Sequence, residues 1–187
     1  MKFNIVKSSI VYEGFMLLKK IKVTVDTYEN SVVTKDVEVI DRGNSVAVLV
    51  KEKTTNTFLF TEQFRLPTTF SGTKGWILEL PAGVIDEGES EEQAAKRELL
   101  EELGYKVDNL EKIYRGHLSP GVLTEKITLF YAEVSATDKV GEGGGVYKEK
   151  EDIKLVKKDI DEAIKKCITF DAKTTIALQW YLLNKQK

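Results

Sequence analysis

The chain opens on a strand-like rhythm. Ile21, Val23 and Val25 alternate with Lys22 and Thr24, the period of a half-buried β-strand. Val32 to Ile40 carries more β-branched residues, and Tyr28-Glu29-Asn30-Ser31 between the two is a turn candidate. Residues 1–40 therefore read as a short antiparallel meander, which needs a partner surface because two or three strands alone are marginal in water. After the polar turn Asp41 to Asn44, strands are predicted at Ser45–Lys51 and Thr57–Gln63, joined by Glu52 to Asn56. Thr68 to Gly75 reads as a flexible loop able to close over a ligand. Further strands are predicted at Trp76–Gly83, near Val107–Tyr114, at Ile127–Val134 as a central buried strand, and at Lys154–Val156. The tail suggests two helices. Lys158–Cys167 places Ile160, Ala163, Ile164 and Cys167 at helical spacing, and a second, capped by Asp171, places Ile176, Ala177, Trp180 and Leu183 on one face.

The strongest helical signal lies between these strands. Ser90 with Gln93 three residues later forms an S-x-x-Q capping box. From Glu91 to Leu103 there is no Pro, Gly or β-branched residue, and Gly104 stands where a left-handed residue ends a helix. Ala95, Leu99 and Leu103 recur every four residues as an apolar stripe. Glu98 and Glu102, also four apart, project side by side along its edge, with Glu101 in reach of the same space. Like charges at that spacing repel. A divalent cation of the Mg²⁺ type would offset the repulsion, since it prefers carboxylate oxygens and keeps positions open for water and phosphate. The alternative is an acidic face held in solvent.

Composition narrows the possibilities. With 187 residues, the chain suits one domain, or one with a small appendage, large enough to fold without disulfides or a structural metal. A net charge of −2, from 28 bases and 30 acids, argues against a nucleic-acid footprint. Val46 to Val50 is the longest purely apolar run, far short of a membrane span, and the N-terminus lacks an apolar leader. The expectation is a cytoplasmic protein with neither nucleic-acid nor membrane partners. Cys167 is the one cysteine and reads as structural.

Order and spacing then point to a family. Gly83, five residues, Glu89, seven residues, then Arg97-Glu98-Leu99-x-Glu101-Glu102-x-Gly104-Tyr105 resembles the signature of the Nudix hydrolases. Every polar and glycine position is filled. The departure is Tyr105, where an aliphatic residue is usual, and this bears on packing more than chemistry. The resemblance implies an α/β fold, the Nudix α/β/α sandwich with a mixed sheet, over residues 41–187. It also implies that the N-terminal antiparallel β-sheet, residues 1–40, serves dimerisation, giving a homodimer.

The resemblance further implies cleavage of a nucleoside diphosphate linked to another moiety, with Mg²⁺ (or Mn²⁺ in its place) as cofactor. The implied catalytic set is Arg97, Glu98, Glu101, Glu102 and a base from Glu149 or Glu151. The implied metal ligands are Glu98, Glu102, Glu151 and the Ala82 carbonyl. Arg97 is expected to orient Glu89. Substrate contacts are expected from Arg42, Arg65, Glu79 and Pro120, although Arg65 also reads as a strand-end arginine and Glu79 as a paired strand glutamate. His117, the one histidine, reads as a general base or as a structural loop residue. Asp41 to Asn44, Gln63 to Arg65, Ser119 to Gly121 and the Gly143-Gly144-Gly145 loop before Glu151 resemble the GDP-mannose-cleaving branch. Glu79-Leu80-Pro81-Ala82-Gly83 looks more like ADP-ribose pyrophosphatases. GDP-mannose is the first expectation, ADP-ribose the alternative. A non-catalytic sugar-nucleotide sensor would be expected to have lost carboxylates that are intact here.

Overall fold

A computed structural model of the chain describes residues 1–166 and 171–185. It divides into two units. One comprises Met1–Asn44 with His117–Lys126, the other Ser45–Gly116 with Ile127–Lys187.

In the first unit, strands β1 (Phe3–Glu13), β2 (Leu17–Asp26) and β3 (Val32–Asp41) form an antiparallel sheet in the order β1-β2-β3. The predicted alternation holds in β2: Val23 is buried, with exposed Lys22 before it. Every residue of β1 is exposed, including Phe3, Ile5, Ile10 and Tyr12. The segment around Leu123 joins the unit through Ile40, whose N–H donates to the Val122 carbonyl at 2.8 Å.

The second unit is built on a seven-stranded mixed sheet. Its strands are β4 (Ser45–Glu52), β5 (Thr57–Phe64), β6 (Trp76–Glu79), β7 (Ala82–Val84), β8 (Glu111–Gly116), β9 (Ile127–Val134) and β10 (Ile153–Asp159). The path is β10-β5-β4-β9-β8, with β6 on β5 and β7 on β4. β4 and β9 run parallel and the other pairs antiparallel. Alternation along β4 sends Val46, Val48 and Val50 into one core and Ala47 and Leu49 into the other. The first core is closed by Ala94, Ala95, Leu99 and Leu103 of the helical stretch after Ser90, the second by Ile160, Ala163, Ala177, Leu178 and Tyr181 from the C-terminal helices. Helices thus cover both faces, which is the expected α/β/α sandwich. Tyr105 is buried in the first core, so the aromatic departure is absorbed by packing. No helix is long and apolar enough to cross a membrane among the described residues.

Several boundaries differ from expectation. Trp76–Gly83 is two strands, because Leu80 and Pro81 interrupt the ladder before Ala82. The strand expected near Val107 starts at Glu111. Leu66–Thr69 is a short helix, α1, and Thr73 Oγ1 donates back to the Thr68 carbonyl at 3.0 Å, so the expected flexible loop is internally bonded. Lys158 and Asp159 end β10, and α3 (Ile160–Lys165) begins only there, capped by Asp159. Cys167 lies outside the described residues. In the last helix (Ala172–Asn184) the inward face is Thr174, Ala177, Leu178 and Tyr181, while Leu183 is exposed. The expected face was rotated, because Lys173 and Thr174 turn inward at its first turn. Trp180 is partly buried and packs on Tyr131, with ring centroids 5.4 Å apart, so it serves the core.

Candidate active site

The acidic helix begins as the sequence dictates. Ser90 Oγ accepts from Gln93 N and the Gln93 side chain accepts from Ser90 N, so both halves of the capping box are made. Glu91–Glu98 is α-helical (α2), but Leu99–Leu103 widens into a π-turn ending at Gly104 with φ 75°. A π-turn inside a helix re-aims successive side chains. Here Leu99, Glu102 and Leu103 all point inward.

Glu98 and Glu102 are 9% and 3% exposed, so the acidic face is not held in solvent. Burial pushes the Glu98 carboxyl up to about 7, against the lowering effect of Arg97, with Glu101 and Glu151 adding repulsion. Burial also pushes Glu102 up to about 9, reinforced by the charges of Glu98, Glu151 and Glu79 and opposed by the Ala82 N–H. That N–H donates to Glu102 Oε2 at 3.1 Å. No cation lies within ion-pair distance of Glu102 among the described residues. At Gly83 a Cβ would stand 1.7 Å from Glu98 Oε1. The missing side chain is therefore the space in which the carboxylate sits.

Arg97 gathers the remaining acids. Its Nε and Nη2 donate to the two oxygens of Glu89 at 3.1 and 3.0 Å, and Nη2 also donates to the Val84 carbonyl at 3.0 Å. Its Nη1 donates to Glu98 Oε1 at 2.7 Å and Glu101 Oε2 at 3.0 Å. Arg97 thus ties strand β7, the turn carrying Glu89 and the acidic helix together.

The Gly-rich loop closes on the end of that helix. Gly144 N donates to the Glu102 carbonyl at 2.9 Å and Gly145 N to the Glu101 carbonyl at 3.0 Å. A Cβ on Gly143 would meet the Glu102 carbonyl oxygen at 2.5 Å, so only glycine permits this approach. The loop then returns Glu151, whose Oε2 accepts from Val146 N at 3.0 Å and whose charge is felt by both Glu98 and Glu102. Glu149 lies in the one-turn helix Tyr147–Glu149; its side chain is outside the described residues.

Arg65 and Glu79 also meet in this unit. Arg65 Nε donates to Glu79 Oε1 at 2.6 Å, and the Lys173 ammonium pairs with Glu79 Oε2. Lys173 had no signal in the sequence. It sits 94 residues beyond Glu79, and a lone lysine in a helical pattern reads as solvated. Arg42 and Pro120 belong to the N-terminal unit, where Asp41 and Gly43 flank Arg42 in a turn: Gly43 N donates to Asp41 Oδ1 at 3.4 Å. His117 is in the same unit, its Nδ1 2.9 Å from the Glu125 carbonyl oxygen, which gives the ring a structural contact.

The donor set fits a hard divalent cation. Two buried carboxylates repel each other, a glycine cradle seats one of them, and a third carboxylate approaches on a loop. Among the described residues no three acidic, histidine or cysteine side chains already stand in ligating geometry. Glu98 and Glu101 are instead drawn onto Arg97. The Ala82 carbonyl, implied as a ligand by resemblance, lies on the residue whose N–H holds Glu102.

The NUDIX domain profile matches residues 41–164. The chain is 35% identical over 180 residues to a GDP-mannose pyrophosphatase of Cronobacter sakazakii, covering 94% of this chain and 93% of that protein. It is 35% identical over 162 residues to a GDP-mannose pyrophosphatase of Pectobacterium atrosepticum, covering 86% and 82%. It is 31% identical over 187 residues to that of Escherichia coli O1:K1, covering 98% and 96%. The chain belongs to the NUDIX family of hydrolases.

Proposed function

We propose that this enzyme hydrolyses the diphosphate bridge of a nucleoside diphosphate sugar, with GDP-mannose as the preferred substrate and GMP and mannose 1-phosphate as products. The observation carrying the reading is the buried Glu98–Glu102 pair, held beside Gly83 with charge that only a cation or protons can offset. The names of the relatives support the choice of GDP-mannose. The Glu79-Leu80-Pro81-Ala82-Gly83 run keeps ADP-ribose as the second reading.

Glu98, Glu102, Glu151 and the Ala82 carbonyl are the proposed Mg²⁺ ligands, with Mn²⁺ able to substitute. When bound, Mg²⁺ neutralises phosphate oxygens and acidifies a water. In the reaction, water oxygen bonds to one phosphorus and the bridging P–O bond breaks. The electron pair leaves on the bridging oxygen of the departing phosphate. The proton from water passes to a carboxylate, Glu151 or Glu149, on the loop that follows Gly145. Arg97, itself held by Glu101, keeps Glu98 in place, and Arg65 is proposed to bind substrate. Phosphoryl transfer of this kind needs no nucleophilic side chain. The exposed apolar residues of β1 support a homodimer through the N-terminal sheet.

A panel of nucleotide sugars with Mg²⁺ tests the substrate. The expected result is kcat/KM at least about tenfold higher for GDP-mannose than for ADP-ribose. The reverse preference would replace the first reading by the second.

A further inference from the structure

Arg65 is gripped from the side. Its Nε donates to Glu79 Oε1 at 2.6 Å, and neither terminal guanidinium nitrogen has a hydrogen bond among the described residues. Glu79 is only 4% exposed. A carboxylate facing a guanidinium ordinarily takes it bidentately, two parallel N–H donors to two oxygens. Here the second oxygen is taken by Lys173, itself 9% exposed. Lys173 is fixed in turn by Asp171 Oδ1 at 2.9 Å. Asp171 also caps the last helix, its Oδ2 accepting from Thr174 N at 3.0 Å. Thr174 Oγ1 accepts from Leu80 N at 3.0 Å, which docks that helix against the residue after Glu79. The four charges, Arg65, Glu79, Lys173 and Asp171, sum to zero within the cluster.

We infer that Lys173 is a positioning residue that occupies Glu79 Oε2, prevents Glu79 from closing bidentately on Arg65, and so keeps the guanidinium fork free for a substrate phosphate. This rests on the reading of the site as one that binds a diphosphate. Glu79 is then a clamp with both oxygens engaged, and the C-terminal helix sets substrate affinity without touching substrate. Losing Lys173 leaves a buried carboxylate with one cation nearby, and Arg65 rotates onto both oxygens.

The test compares wild type, K173M, E79Q and K173M/E79Q. Three quantities are read: kcat and KM for GDP-mannose with Mg²⁺, and Kd for inorganic pyrophosphate with Mg²⁺. K173M is expected to raise KM and Kd by about tenfold or more while kcat stays within about threefold. The double variant, whose neutral amide cannot trap Arg65, is expected to return KM and Kd to within about threefold of E79Q. A lysine that only balances the Glu79 charge would instead show its loss and rescue in thermal stability, leaving KM and Kd unmoved. Folded K173M with unchanged KM and Kd, or a double variant as weak as K173M, overturns the inference. If K173M does not fold, the double variant carries the test, and a Kd still raised tenfold or more overturns it. Failure of wild type to turn over GDP-mannose removes only the substrate reading, because pyrophosphate binding still reports on Arg65.

Discussion

Glu98 occupies the space that a side chain at residue 83 would fill: a Cβ there would stand 1.7 Å from Glu98 Oε1 and 2.1 Å from its Cδ. G83A therefore displaces the carboxylate, and with it the Arg97 contact at 2.7 Å. The expected outcome is a fall in kcat of about 100-fold or more, since ångström-scale misplacement of a catalytic group costs that much. The fold should persist, because Gly83 lies in a three-residue strand outside both cores. Steady-state kinetics beside a thermal melt check this, and full activity in a folded G83A would refute the cradle.

The buried carboxylates also set a pH dependence. Their native values, about 7 for Glu98 and about 9 for Glu102, lie above the ordinary 4.5. The native state then binds more protons than the unfolded state between these values. Without metal, stability must fall as pH rises from about 4.5 toward 9. Mg²⁺ bound as proposed would take the deprotonated pair and release protons, so its stabilising effect should grow over the same window. Thermal melts should show a larger Mg²⁺-induced gain in Tm near pH 8.5 than near pH 6. E102Q should flatten the metal-free profile. Equal gains at both pH values would show that Mg²⁺ is bound elsewhere.

The N-terminal sheet leaves Phe3, Ile5, Ile10 and Tyr12 of β1 exposed, more apolar surface than a strand edge in solvent usually carries. Light scattering should return twice the 21.1 kDa chain mass. Charged substitutions at Ile5 and Ile10 should shift the mass to that of one chain. A 21.1 kDa species in the unaltered protein would contradict the homodimer.

Much of the active site was legible because it is local. The Ser90–Gln93 box, the left-handed Gly104, the Ala95–Leu99–Leu103 stripe and the Arg97–Glu89 pair all lie within 23 residues and appear as read. The π-turn at Leu99–Leu103 was not legible. Its residues all favour an ordinary helix, and the widening is tied to tertiary contacts of Glu102 and Leu103. The docking of the Gly143–Gly145 loop was not legible either, because nothing local reveals that its amides would donate to the Glu101 and Glu102 carbonyls. Lys173 was invisible for the same reason: its partner is a strand residue 94 positions earlier. The start of α3 was misplaced because Lys158 and Asp159 fit a helical pattern as well as a strand end, and only the pairing of β10 with β5 decides it.

The central claim is that Glu98 and Glu102 hold the cation that makes a P–O–P bridge open to water. The most direct measurement is release of GMP and mannose 1-phosphate from GDP-mannose by E102Q over a Mg²⁺ titration. The account predicts a loss of at least about 100-fold in kcat/KM, roughly 3 kcal/mol of transition-state stabilisation, at saturating Mg²⁺. Unchanged product release by a folded E102Q would contradict it.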